Sequence, residues 1–268
     1  SRKSYTTVTG KSGQISKFNL GRSGKYIIAI ILIIITFFTS IFPIVSFAFE
    51  TFLPNPGDYS FLYTGDPDNL TTKWWVTNEN ITENGMYGQQ GILYNDMIWH
   101  AYKGTIMVSV CCALTAGTIG TLIGYAVSKN RRSRWANYVN SMAFLPYLMP
   151  SIAVGVAFFI LFSNKYVNLF NTYALLIIVG TVKYIPFASR SSLNSMLQLS
   201  GEIEEAAIIQ DIPWTKRMTR IIIPIQKTSI ISGYLLPFMT CLRELSLFIL
   251  LCVQGFILST TLDYFDEM

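Results

Sequence analysis

Charged residues are scarce in this sequence, and histidine and cysteine are rarer still. Of its 268 residues only 13% are charged, about half the fraction usual in a soluble domain, while 51% are hydrophobic. The single histidine, His100, has no second histidine or cysteine at a metal-ligand spacing, so we predict no metal site. The four cysteines lie in or beside apolar segments, so we expect buried thiols rather than a disulfide framework.

The motifs of common enzyme sites are also missing. Gly10–Ser12 resembles the end of a phosphate-binding loop, but the glycine that this motif needs at its start is replaced by Tyr5. No serine lies in a Gly-x-Ser-x-Gly elbow. No basic stripe with interleaved aromatic residues marks a nucleic-acid surface. We therefore predict that the chain is not an enzyme, carries no cofactor of its own and binds no nucleic acid.

Long apolar runs take the place of the missing charge. In lipid every backbone polar group needs an internal partner, so a spanning segment is a helix or part of a closed barrel. Runs of about 20 apolar residues favour helices. We predict an all-α, multi-pass integral membrane protein with membrane lipid as its solvent. The five expected spans are 26–49, 104–128, one within 135–164, 172–187 and about 228–250.

Lysine and arginine predict the orientation of these spans, because short cytoplasmic segments are rich in both. Residues 1–25 contain six basic residues and no acid, so we expect a cytoplasmic N-terminal arm. Residues 50–96 contain seven acids against Lys73 alone, so we expect the segment 50–103 to be external. In the remaining core, 104–262, the loop at 200–225 is then cytoplasmic. Residues 263–268 are expected outside.

Small residues and prolines predict how two spans are built. Ala116, Gly120 and Gly124 recur at four-residue intervals, so one stripe of the second span should pack closely on another helix. Pro146 and Pro150 each remove a backbone donor, so they should kink or divide the third span.

Charge is concentrated in one place, the loop at 200–225, which contains the stretch EEAAIIQDIPWTKRMTRIIIP. We predict two short helices in this loop. Ser200 suits an N-cap, and Glu202 in the first turn complements the positive end of the helix dipole. Pro213 is preorganised to start the second helix, and Pro224 is expected to end it.

Two interpretations of this loop stay open on spacing alone. A solvated loop explains its charges. It does not explain why two alanines, Ala206 and Ala207, are followed by two isoleucines at a water-facing position. Small and apolar side chains on a short helix suit insertion into a groove on a soluble partner.

The order of residues in the loop resembles a family motif. Glu205–Ala207, then Asp211, Ile221 and Pro224 follow the spacing Glu-Ala-Ala, three residues, Gly, nine residues, Ile-x-Leu-Pro. This is the motif of permease subunits in binding-protein-dependent ABC importers. Here Asp211 replaces the glycine and Ile223 replaces the leucine. Aspartate is among the few residues other than glycine that tolerate a positive φ.

The resemblance covers roughly 103–263 and implies a type I importer permease bundle in the bacterial inner membrane. It implies that the loop, centred on Glu205 to Asp211, seats in a separate ABC ATPase subunit, which carries the ATP and magnesium. A second permease half or copy would complete the path, and an extracytoplasmic substrate-binding protein would deliver the substrate. The family core has one more span after the fifth, so we expect the final span to be missing from this sequence.

Two shorter stretches resemble iron(III) transport permeases. They are Leu242–Ser246, LRELS, and Tyr5–Lys11, and they imply iron(III) or a related ion as the substrate. Arg243 and Glu244 each cost about 2.5 to 3.5 kcal/mol within lipid, so they should face a bundle interior or water. On a helix they would point about 100° apart. They either line the transport path or form structural ion pairs with other helices.

Two functions of other classes remain as alternatives. A secondary transporter or channel would need no ATPase, but such proteins usually carry intramembrane charges for ion coupling, and Glu244 is the only acid in a predicted span. A non-transporting membrane assembly protein would make the loop motif a coincidence.

Overall fold

The computed structural model describes residues 21–55, 57–60, 70–81, 89–164, 167–253 and 255–267. Within these ranges nearly all regular structure is helical, which confirms the predicted all-α architecture. Most of the predicted basic arm, residues 1–20, lies outside the described residues. The chain divides into two compact units, 1–95 and 96–268.

The first unit contains one long apolar helical rod. It consists of α1 (Gly21–Thr36), a π-helical turn (Phe37–Ile41) and α2 (Phe42–Glu50). The π-helical turn lies just before Pro43, which offers no backbone donor to the helix ladder. Residues 23–50 are long and apolar enough to cross a membrane, in agreement with the predicted first span. Among the described residues that follow this rod in the unit, Lys73–Val76 form a short helix, α3.

The second unit contains the remaining helices and one minimal hairpin, whose strands β1 (Ser163–Asn164) and β2 (Val167–Asn168) pair antiparallel. A π-helical turn, Met218–Ile222, joins two of the short helices. The helices are α4 (Asp96–Lys129), α5 (Arg134–Leu148), α6 (Ser151–Phe162), α7 (Tyr173–Met196), α8 (Gly201–Ile209), α9 (Trp214–Arg217), α10 (Ile223–Ile225), α11 (Lys227–Leu242) and α12 (Leu258–Glu267).

Three helical segments described here are long and apolar enough to cross a membrane, namely 23–50, α4 and α7. The count rises to five if two bent pairs each form one span. One pair is α5 with α6, and the other joins 214–225 to α11. α4 begins at Asp96, eight residues before the predicted span, and Asp96 complements the positive end of the dipole there.

The predicted small-residue stripe packs α4 against α7. Ala116 is fully buried, and a Cβ added to Gly120 would lie 2.5 Å from the Ala188 Cβ. A Cβ on Gly124 would lie 2.7 Å from the Ser192 Cβ. Because Gly120 faces Ala188 and Gly124 faces Ser192, the two helices run in the same direction. The prediction of close helix packing on this stripe is confirmed.

The third predicted span is divided, as its prolines indicate. The axes of α5 and α6 differ by 103°. The break falls at Met149 and Pro150, since a residue before proline is pushed out of the helical region, and Met149 has φ −85° and ψ 138°. From α7 the Lys183 ammonium donates hydrogen bonds to the Pro146 and Met149 carbonyl oxygens, at 3.0 and 2.6 Å. Lys183 is only 8% exposed, so it satisfies carbonyls that the broken helix leaves unpaired.

The fifth predicted span is helical only in its first part. α11 ends at Leu242, and residues 243–257 continue in turns and irregular backbone until α12. Three apolar side chains of this segment, Leu247, Phe248 and Leu251, are at most 1% exposed. Irregular backbone at membrane depth is tolerated where it is enclosed by protein. The prediction of a helix through residue 250 is therefore wrong after 242, and residues 263–267 belong to α12.

Candidate functional site

The loop at 200–225 folds as a capped helix, a tight turn and a second helix. The Ser200 Oγ accepts a hydrogen bond from the Glu202 backbone N–H at 3.4 Å, so Ser200 is the N-cap of α8 as predicted. At the other end Asp211 has φ 53°. The Asp211 N–H donates to the Ile208 carbonyl at 2.9 Å, and the Ile212 N–H donates to the Ala207 carbonyl at 3.1 Å. This pair of bonds is the Schellman motif, which needs a left-handed residue where Asp211 lies.

The geometry of Asp211 explains the glycine that the family motif has at this position. Asp211→Gly is expected to leave the melting temperature within about one degree of the wild type, because glycine adopts this φ freely. Asp211→Val is expected to destabilise the loop by about 1 to 2 kcal/mol, since a β-branched side chain clashes in the left-handed region. Thermal unfolding of the two purified variants measures the difference. Equal melting temperatures would contradict the expectation.

The side chains of α8 separate into a buried face and an exposed face. Glu204 and Ala207 are each 5% exposed and turn toward the rest of the chain. The exposed face carries Glu202, Glu205, Ala206 and Ile209, and the Ile209 side chain is 85% exposed. These positions follow the i, i+3, i+4, i+7 spacing of a helix that lies in a groove on a partner.

Sequence reasoning placed Ala207 with Glu205 and Ala206 in one partner-binding set, and the structure corrects this. Because Ala207 is buried within its own chain, a larger residue there would disturb the packing of α8 before it met any partner. Ile209, which the predicted set omits, is the most exposed apolar side chain of α8. Its exposure on one helix face is a property of three-dimensional packing.

Glu204 is the residue of this site that sequence reasoning missed. Its Oε1 accepts a hydrogen bond from the Tyr125 hydroxyl at 2.5 Å, and its other oxygen pairs with the Lys129 ammonium. Burial alone would raise the pKa of the Glu204 carboxyl, but the hydrogen bonds from Lys129 and Tyr125 outweigh burial and lower that pKa below its ordinary value. The pair therefore stabilises the loop at neutral pH, and this stabilisation is lost as the pH falls through the lowered pKa.

The second arm of the loop begins at Pro213, which is the N-cap of α9. It buries Met218 and Ile222, one turn apart, against Met196 of α7. The arm ends at Ile225, one residue after the predicted end at Pro224, and the chain bends by 86° before α11.

Beyond Ile225 the arm is fastened to α7 by a buried side chain. The Gln226 Nε2 donates to the Ser195 carbonyl at 2.9 Å, and its Oε1 accepts from the Ser195 hydroxyl at 3.0 Å. Ile221 of the family motif is half-buried. The loop is thus anchored to α4 near its start, through Glu204, and to α7 toward its end, through the Met218 and Ile222 cluster and through Gln226.

Arg243 and Glu244 lie after the end of α11, so the helical angle predicted between them does not apply. Glu244 accepts a hydrogen bond from the Tyr184 hydroxyl at 2.8 Å and another from the Leu247 N–H at 3.2 Å. Arg243 is exposed. Within the described ranges neither side chain joins an ion pair, so the structure favours a hydrogen-bonded structural role for Glu244 and leaves Arg243 on the surface of this chain.

No set of three histidine, cysteine, aspartate or glutamate side chains in the described part of the chain could hold a metal ion. His100 instead contacts the Gly255 carbonyl oxygen through its Nδ1 at 3.0 Å. All four cysteines are free thiols, and Cys112, Cys241 and Cys252 are buried.

Comparison with known proteins matches residues 116–267 to a family described as "Binding-protein-dependent transport system inner membrane component". The match includes the whole loop and every helix from the middle of α4 onward. It confirms the predicted multi-pass membrane fold and the resemblance drawn from the loop motif. Permease components of this kind are not themselves enzymes.

Individual relatives carry two different substrate names. A putative ferric transport system permease protein, FbpB 1, of Haemophilus influenzae is 24% identical over 251 residues, which are 93% of this chain and 36% of that protein. The ferric transport system permease protein FbpB of Actinobacillus pleuropneumoniae is 22% identical over 250 residues, 93% of this chain and 33% of that protein. The putrescine transport system permease protein PotI of Escherichia coli K12 is 26% identical over 204 residues, 73% of this chain and 68% of that protein. The chain thus spans about a third of the length of the ferric relatives.

Proposed function

Because the chain belongs to the family of inner membrane components of binding-protein-dependent transport systems, we propose that it is a permease element driven by a separate ABC ATPase. It passes a substrate through the membrane by alternating access. ATP and magnesium bind to the ATPase and not to this chain. The loop at 200–225 lies on the cytoplasmic side, where the ATPase reaches it.

The observation that carries this proposal is the exposed face of α8. Ile209 presents an apolar side chain with no covering residue, flanked by the small Ala206 and the carboxylates of Glu202 and Glu205. An apolar anchor with a charged rim is typical of a helix that seats in a groove of a partner. A loop that only met water would gain nothing from an apolar side chain at its most exposed position.

Movement of the seated helix reaches the membrane spans through the anchors already described. When the ATPase subunits close on ATP, α8 moves with them. The Gln226 contact and the buried Met218 and Ile222 carry the displacement to α7. The close glycine-stripe contact then makes α4 and α7 move together rather than slide past each other.

The substrate proposed first is iron(III) or a related ion, because the two ferric relatives align with nearly the whole chain. A polyamine is the second candidate, favoured by the relative named for putrescine transport. Both are cations, and selectivity between them would come mainly from an extracytoplasmic substrate-binding protein. A second permease half or copy completes the path.

The experiment that tests the function is reconstitution of the permease in vesicles with an ABC ATPase and a substrate-binding protein from the same organism. ATP supplied on the side of the vesicle membrane that carries the ATPase should drive uptake of labelled iron(III) or labelled putrescine. A non-hydrolysable ATP analogue should not. The loaded binding protein should also raise the ATPase rate by about tenfold. Uptake that proceeds equally without ATP would identify a secondary transporter or channel, and absence of any uptake with an associated ATPase would favour an assembly protein.

A further inference from the structure

The buried carboxylate of Glu204 joins two elements that the chain itself does not connect directly. α8 follows α7 and leads through α9 and α10 into α11, so its covalent neighbours are the fourth and fifth spans. α8 is not a sequence neighbour of α4 and contacts it through side chains. Glu204 bonds Tyr125 and Lys129 together, and these two residues lie one turn apart at the C-terminal end of α4.

The second arm of the loop reaches the same point. The Trp214 ring lies 6.2 Å from the Tyr125 ring, centroid to centroid. Tyr125 also packs on the cluster formed by Met196, Met218 and Ile222. Both arms of the loop therefore converge on one tyrosine of α4.

Breaking the bonds of a buried carboxylate in this position is energetically costly. Glu204 is 5% exposed, so separating it from Lys129 would take from this buried carboxylate its directly bonded cation and leave Arg217 as the other cation that acts on it. Such separation is strongly unfavourable, whereas the intact pair gains from two charge-assisted bonds. The end of α4 and the start of α8 are thus expected to move as one body.

α4 is also the helix through which such movement would spread. It packs on α7 along the glycine stripe, and its Thr118 hydroxyl lies 3.0 Å from the Tyr234 hydroxyl of α11. We propose that Glu204 is a positioning residue that couples α8 to α4 through Lys129 and Tyr125. Movement of the ATPase is then transmitted directly to the second span. This inference rests on the proposed function, since it requires an ATPase that moves α8.

Under this proposal, binding of the ATPase and transmission of its movement depend on different faces of α8. Glu204 is buried on the side of α8 opposite the exposed face that would meet the ATPase, and its partner Lys129 belongs to α4 rather than to α8. In Glu204→Gln the ATPase should still bind with wild-type affinity, while substrate transported per ATP hydrolysed should fall about tenfold. Glu50→Gln, which removes one acid from the first unit, is the matched control and should change neither value.

Charge reversal distinguishes coupling from mere stability. Glu204→Lys and Lys129→Glu should each lower transport per ATP, and the double variant should recover at least half of the wild-type ratio, because the pair is rebuilt with opposite sign. Tyr125→Phe, which removes a single hydrogen bond, gives a milder variant if the reversals fail to fold. The melting temperature of each purified variant shows which of them are folded.

Failure of the proposed function and failure of the role of Glu204 give different results in these experiments. A wild-type permease that neither binds nor stimulates an ATPase overturns the proposed function. A wild-type permease that is coupled, together with a folded Glu204→Gln or Tyr125→Phe variant of unchanged transport per ATP, overturns the role of Glu204. A folded double reversal no better than the single reversals also overturns it.

Discussion

Ile209→Glu should abolish stable association with the ATPase and leave the fold of the permease intact. The Ile209 side chain is 85% exposed and touches little of its own chain, so charging it removes few internal contacts. In a complex the same side chain would be an apolar anchor, and a glutamate there would bury an unpaired charge. Loss of a central anchor typically costs 2 kcal/mol or more, so we expect affinity to fall by at least about 30-fold.

The measurement is binding of the purified ATPase to the permease in detergent or nanodiscs, followed by substrate-stimulated ATP hydrolysis. Gln198→Glu is the matched control, because it adds one negative charge at an exposed position just before the loop and off the face of α8. It should bind normally. If Ile209→Glu binds the ATPase as well as the control does, the exposed face of α8 is not the docking surface.

Gly120→Ile should have the largest effect on stability. A Cβ at this position lies 2.5 Å from the Ala188 Cβ and 2.8 Å from the Ser189 backbone nitrogen, both closer than real contacts allow. The larger side chain must therefore push α4 away from α7. Overpacking of this kind costs about 1 to 3 kcal/mol, and we expect a value at the upper end because a backbone atom blocks the space.

A graded series tests this expectation. Gly120→Ala should be milder, since the clash is partly offset by the roughly 1 kcal/mol that alanine gains over glycine within a helix. Ala126→Ile is the matched control, because Ala126 is exposed on the same helix. Melting temperatures of purified protein should fall in the order control, alanine, isoleucine. A Gly120→Ile variant as stable as Ala126→Ile would show that α4 and α7 are not in close contact.

The loop motif is the part of the site that the sequence predicted in most detail. Ser200 and Asp211 act through backbone geometry within a few residues of their own positions, so their N-cap and left-handed conformations follow from local chemistry. Glu204 could not be assigned in the same way. Its hydroxyl partner Tyr125 precedes it by 79 positions, and nothing in the sequence indicates that the two meet.

The end of the fifth span shows a related limit. A charge-poor apolar run from 228 to 250 predicts a membrane helix, because burial in lipid or protein favours internal backbone hydrogen bonds. In the structure the run leaves the helix at Leu242, where Glu244 accepts the Leu247 N–H, and its apolar side chains are in part buried and in part exposed on the surface of this chain. Hydrophobicity predicts that a segment lies in lipid or in the protein interior. It does not report which backbone conformation the surrounding helices permit.

The membrane environment, the approximate spans, the small-residue stripe and the loop motif could all be predicted from the sequence, since apolar composition and short-range spacing fix these features locally. The folded chain was needed to show which face of α8 is free, which residues hold it, how the carbonyls at the break in the third span are satisfied, and where the fifth span leaves its helix. Those features depend on side chains far apart in sequence, such as Lys183 on the Met149 carbonyl and Lys129 on Glu204. A buried charge selects its partner by proximity in the folded chain, and proximity is what the linear sequence does not contain.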